Sequence, residues 1–138
     1  MLFDTHAHYD VEQFDQDREA VLAGLPGRDV SLAVNPGCDI PSSRKAVELA
    51  QAWPFLYAAV GYHPENCAPY TPEDLDVIRD LTRDPKVVTI GEIGLDYYLR
   101  VTGQIPDDIQ VLRRIGGAVL RGGRQDDVGT CNLKGDAA

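Results

Sequence analysis

Phe55-Leu56-Tyr57-Ala58-Ala59-Val60-Gly61 runs for seven residues without a charged side chain. A strand with one wet face alternates polar and apolar residues, whereas a near-continuous apolar run fits a strand buried on both faces, the habit of parallel sheets. The same character recurs at 2–5, 30–35 and 87–91. Helical patterns fill the gaps. The first spans 14–25, with Asp15 as a candidate cap. The second spans 42–53, where Ala46, Leu49, Ala50 and Trp53 fall at helical spacing. The third opens on Thr71-Pro72-Glu73-Asp74, with an N-cap hydroxyl, a proline at the first helical position and two carboxylates in the first turn. Leu75, Ile78 and Leu81 then share one stripe. Four strands alternating with three helices predict right-handed βαβ units, a parallel sheet and the α/β class.

The 138 residues, 43% hydrophobic and 25% charged, are those of an ordinary folded domain rather than a disordered or collagen-like chain. No basic and apolar leader precedes the first run and no apolar stretch approaches membrane length, which predicts a cytoplasmic protein with no membrane partner. Cys38, Cys67 and Cys131 are odd in number and far apart, so they read as free bystander thiols. A formal net charge of -9 argues against a broad basic surface for gripping nucleic acid. It does not argue against a metal enzyme, because cations in an acidic cleft can reverse the local sign. The character changes near residue 99: residues 1–98 hold 17 acidic against 7 basic side chains, and residues 99–138 hold 5 against 6 together with seven of the 13 glycines. Residues 99–138 are therefore expected to form a divergent, poorly ordered tail, with at most one helix over 109–120.

In parallel α/β folds the loops at the carboxyl ends of strands converge on the working cleft. Those ends read Asp4-Thr5-His6-Ala7-His8, Asn35-Pro36-Gly37-Cys38-Asp39, Gly61-Tyr62-His63-Pro64 and Gly91-Glu92-Ile93-Gly94-Leu95-Asp96, and they contain every histidine of the chain. His6 and His8, two residues apart, turn to the same side and can share one cation. Glu92, flanked by Gly91 and Gly94, can bridge two metals; the competing reading is a capping or salt-bridged glutamate. Asp4 orients a histidine or is a buried hydrogen-bonding carboxylate. Asp96 supports the ligands, binds substrate or caps a turn. His63, stiffened by Pro64, suits phosphate binding or proton transfer, or is structural.

Taken together, Phe3-Asp4-Thr5-His6-Ala7-His8, Asn35-Pro36-Gly37, Val60-Gly61-Tyr62-His63-Pro64 and Ile90-Gly91-Glu92-Ile93-Gly94-Leu95-Asp96-Tyr97-Tyr98 resemble the TatD family of metal-dependent deoxyribonucleases. The resemblance implies a (β/α)₈ barrel with His6, His8 and Glu92 as metal ligands, Glu92 as the catalytic carboxylate and His63 on the substrate phosphate. It implies two-metal activation of water, with magnesium or manganese (zinc as a third option), and phosphodiester hydrolysis on DNA, in the manner of a 3'-5' exonuclease on single-stranded ends. Relatives continue with two further histidines and a late aspartate, and residues 99–138 hold no histidine. A complete barrel needs at least ~200 residues. Residues 1–98 are thus expected to form the N-terminal half of the barrel, a partial (β/α) unit of about four strands. The competing expectations are an amide or ester hydrolase of the same barrel group and an inactive, non-catalytic fragment.

Overall fold

The computed structural model describes residues 1–67 and 69–93. Asp96 and the stretch 99–138 lie outside these residues. Four parallel strands, β1 (Leu2–Asp4), β2 (Val30–Pro36), β3 (Leu56–Val60) and β4 (Val87–Ile90), stand side by side in sequence order. Three helices, α1 (Arg18–Gly24), α2 (Ile40–Ala52) and α3 (Asp74–Leu81), connect them, giving the expected α/β arrangement.

The sheet is buried most completely at β3, where Leu56, Ala58 and Val60 are inaccessible to solvent and Ala59 nearly so. Helix α2 lies over β3 and supplies Ala46, Val47, Leu49 and Ala50; Leu22 of α1 and Ile78 of α3 complete the core. Burial on both faces does not extend to β1. Phe3 and Leu32 stand opposite each other in register yet are 56% and 39% exposed, because no described element covers the sheet there.

Helix boundaries differ from the expected ones for identifiable reasons. α2 begins before Ser42 because Asp39 and Ser42 form a capping box: Ser42 N–H donates to Asp39 Oδ1 at 2.8 Å, and Asp39 N–H donates to Ser42 Oγ at 2.9 Å. The pattern over 14–25 resolves into a 3₁₀ turn at Glu12–Phe14 and then α1. Asp15 pairs with Arg18 at 2.6 Å rather than capping. At α3 the first turn is tight. Asp74 N–H donates to the Thr71 carbonyl at 3.1 Å and Leu75 N–H to that of Pro72 at 3.3 Å, and Asp74 Oδ2 accepts from Thr71 N–H at 2.8 Å. The regular helix therefore starts three residues after the threonine.

The two ends of the sheet differ in character. At the amino end, the Lys86 ammonium donates to the carbonyls of Trp53, Pro54 and Leu56 at 3.1, 2.8 and 3.0 Å and lies 4.6 Å from the Tyr57 ring centre. At the carboxyl end, the exit of β2 serves as an anchor for its neighbours. Ala7 N–H donates to the Val34 carbonyl at 3.1 Å, Glu92 N–H to that of Gly37 at 2.9 Å, and His63 N–H to that of Cys38 at 2.9 Å. The segments that carry the three histidines and the glutamate are thus tied to one strand.

Candidate metal centre

β1 ends at Asp4, so His6 and His8 lie just beyond it, and their rings meet edge to face with centres 4.9 Å apart. Their Nε2 atoms are 3.1 Å from each other. Glu92 arrives from the end of β4 with its side chain 8% exposed, and its Oε1 stands 2.9 Å from His6 Nε2 and 3.8 Å from His8 Nε2. One donor atom from each of the three residues falls within 4.8 Å of the other two, a group that could hold a metal ion.

The chemistry of this donor set fits a cation. Donors ~2.1 Å from an ion are separated by roughly 3.0–3.4 Å at octahedral to tetrahedral angles, and the observed separations of 2.9, 3.1 and 3.8 Å bracket that range. Two imidazole lone pairs 3.1 Å apart repel unless a proton or a cation sits between them. The mixed nitrogen and oxygen set suits a borderline or hard divalent ion.

Glu92 directs its other oxygen elsewhere. Oε2 accepts from the Cys38 thiol at 3.2 Å and stands 3.9 Å from His63 Nε2. Cys38 is therefore no bystander. Burial, then the Glu92 carboxylate, pushes its thiol well above the ordinary range. His63 Nδ1 accepts from the Glu65 N–H at 3.2 Å, so the neutral ring carries its proton on Nε2, the atom that faces Glu92. Cys67, the other cysteine among the described residues, donates to the His63 carbonyl at 3.3 Å.

Asp4 acts on main chain rather than on a ring: Oδ1 accepts from the His6 N–H and Oδ2 from the Tyr9 hydroxyl, both at 3.2 Å. Burial and the Asp4 charge push the Tyr9 phenol up to about 12. The carboxylate facing an imidazole is Asp10, whose Oδ1 is 3.8 Å from His8 Nδ1 and whose side chain is only 6% exposed. Asn35, fully buried, donates from Nδ2 to Asp10 Oδ1 at 2.7 Å and accepts from Asp10 N–H at 3.1 Å. Burial alone would raise the Asp10 carboxyl, but its hydrogen bonds with His8 and Asn35 outweigh this and hold it below the ordinary value. Asp10, Asn35 and Cys38 carried too little local signal to be assigned a role at this site: Asn35 and Cys38 sit in the strand-end motif after β2, but their partners lie 25 and 54 residues away.

A pH dependence follows for His8. Its pKa is raised, first by the Asp10 carboxylate, against desolvation and with help from Glu92. Protonated His8 contributes stability that is fully present below the ordinary value of 6.5 and is lost as pH rises through the raised value. Metal affinity runs the opposite way, because only the neutral ring is a ligand. Titration with Mn²⁺ is expected to show affinity falling steadily as pH drops from 8 to about 6, while metal-free unfolding shows stability rising over the same interval. Opposite or absent slopes would show that His8 does not couple to either process.

The fold and site are those of a parallel α/β protein that gathers two histidines and a buried carboxylate at the carboxyl ends of its strands, a group that could hold a metal ion. The chain belongs to the TatD related DNase family, whose model matches residues 3–116. It is 44% identical over 110 residues to the uncharacterized metal-dependent hydrolase YabD of Bacillus subtilis, covering 80% of this chain and 42% of YabD. It is 33% identical over 96 residues to the 3'-5' ssDNA/RNA exonuclease TatD of Salmonella typhimurium, covering 70% of this chain and 37% of that protein. The crystal structure of YjjV, a TatD homologue of Escherichia coli K12, superposes with a TM-score of 0.76 at 29% identity, over 87% of this chain and 47% of YjjV. The chain thus spans about two fifths of the length of these curated relatives. Among the described residues no helix is long and apolar enough to cross a membrane.

Proposed function

We propose that this chain is the N-terminal part of a cytoplasmic TatD-type hydrolase that cleaves phosphodiester bonds of DNA from single-stranded 3' ends, with magnesium or manganese held by His6, His8 and Glu92. The observation that carries this is the convergence of those three residues within 4.8 Å. A divalent ion bound there would supply Lewis acidity, lowering the pKa of an attacking water and neutralising phosphate oxygens, and a second ion completes the site in the family.

The chain's own groups have separable tasks. Glu92 spans the site, one oxygen toward the two histidines and the other toward Cys38 and His63, which suits a bridging catalytic carboxylate. His63 presents Nε2–H as a donor, the polarity needed by a scissile phosphate oxygen and the wrong one for a metal ligand. The same donor would serve a carbonyl oxygen, so the preference for phosphodiesters over amides or esters rests on the family. Asp4 and Tyr9 hold the His6 main chain. Asp96 is assigned to substrate or ligand support on the family resemblance alone.

The test is cleavage of end-labelled single-stranded DNA by the purified 138-residue chain with Mg²⁺ or Mn²⁺. Shortening from the 3' end is expected, far slower than for a complete relative because the three ligands among the described residues serve a multi-ion site, and lost in His6→Ala. Turnover of small amides or esters with intact DNA would overturn the phosphodiester reading. Metal binding without any cleavage would identify a non-catalytic fragment.

A further inference from the structure

We propose that Asp10, immobilised by Asn35 and Arg18, is a positioning residue that fixes His8 with its proton on Nδ1 and its Nε2 lone pair toward Glu92. The inference rests on the metal-centre reading above and deepens it. A neutral imidazole has one protonated and one bare nitrogen, and only the bare one can ligate, so something must decide which faces the ion. His8 has a carboxylate on each side, Asp10 Oδ1 3.8 Å from Nδ1 and Glu92 Oε1 3.8 Å from Nε2. Distance therefore does not decide the tautomer.

The surroundings of the two carboxylates do. His6 Nε2 stands 2.9 Å from Glu92 Oε1 and 3.1 Å from His8 Nε2; with its proton directed at the carboxylate, it leaves no room for a second N–H on His8 Nε2. Asp10 is held from three directions. Asn35 takes the Asp10 N–H on its carbonyl oxygen, which fixes the orientation of the amide and leaves its NH₂ to bond Asp10 Oδ1 and the Pro36 carbonyl, the latter at 3.3 Å. Arg18 pins the main chain on either side, Nε donating to the Tyr9 carbonyl at 2.6 Å and Nη2 to those of Asp10 and Val11 at 3.2 and 2.8 Å. A nearly buried carboxylate that cannot rotate away, on the rear of the ring, selects Nδ1–H. It lies opposite the metal-facing nitrogen, so it acts through His8. A carboxylate behind a ligating histidine also strengthens that nitrogen as a donor.

Two measurements on the full chain test this. Nitrogen-15 NMR of the metal-free protein above the His8 pKa is expected to show His8 protonated on Nδ1; a proton on Nε2 would overturn the proposal. Mn²⁺ titration of Asp10→Asn, which keeps shape but removes charge, is expected to show affinity about 10–100-fold weaker; wild-type affinity in a folded variant would also overturn it. Should Asp10→Asn fail to fold, the tautomer of the unaltered chain decides alone. An unaltered chain that shows Nδ1–H on His8 but binds no Mn²⁺ supports the Asp10 assignment and overturns the metal centre, so the two failures are distinguishable.

Discussion

Glu92→Gln is expected to abolish divalent-metal binding at His6, His8 and Glu92 while leaving the chain folded. The substitution preserves volume but offers one oxygen and one NH₂ where the carboxylate offered two acceptors. If the amide turns its oxygen to the histidines, the NH₂ confronts Cys38 Sγ, 3.2 Å from Oε2, and the Nε2–H of His63 at 3.9 Å. If it turns the other way, a donor points at His6 Nε2, 2.9 Å from Oε1, in the space a cation needs. Either way the negative charge is gone. Replacing groups that merely support a ligand costs 10–100-fold in metal affinity, so loss of the central ligand should exceed roughly a hundredfold. Calorimetric titration with Mn²⁺ and a thermal melt check the two halves of the claim. An unchanged affinity would show that Mn²⁺ is held elsewhere.

Gly61→Ala should damage stability and site together. A Cβ at Gly61 would lie 2.7 Å from the Glu92 carbonyl oxygen, 2.8 Å from the Gly91 carbonyl carbon and 3.0 Å from its oxygen. These are main-chain atoms, with no flexible side chain to swing aside. Gly61 cannot retreat easily either, since its N–H donates to Ser43 Oγ at 3.2 Å and its carbonyl accepts from that hydroxyl at 3.4 Å. Overpacking of this kind costs about 1–3 kcal/mol, to be read from the urea midpoint. The strand end that yields is the one carrying Glu92, and a shift of ~1 Å there can cost about a hundredfold in rate. Gly24→Ala, where nothing lies within 4 Å, is the control and should be neutral or slightly stabilising. Equal behaviour of the two variants would refute the close-approach account of Gly61.

The chain order of strands and the strand ends that meet were legible because apolar runs and their flanking glycines are local signals. His6, His8 and Glu92 could be picked out for the same reason: a parallel sheet delivers every carboxyl end to one rim, so no contact needed to be known in advance. Asp10 could not be recognised. Its significance comes from Asn35, one strand away, and its own neighbourhood looks like an ordinary polar loop. α1 starts later than the pattern over 14–25 suggests because Arg18 draws Asp15 and the Tyr9, Asp10 and Val11 carbonyls into a clamp that competes with helix initiation. Cys38 reads as a bystander thiol in the sequence because its partner, Glu92, lies 54 residues away.

The bonds from Ala7, His63 and Glu92 to the exit of β2 also bear on how the molecule opens. Segments that share one strand as their support gain and lose their protection in concert, as a cooperative unit of local unfolding. Amide protons of Ala7, His63 and Glu92 should therefore exchange with solvent at rates set by a single opening event, even though β1 and β4 are not neighbours. Equal rates would mean that the cleft is assembled or dismantled as a whole, whereas a wide spread would mean that its residues come away separately.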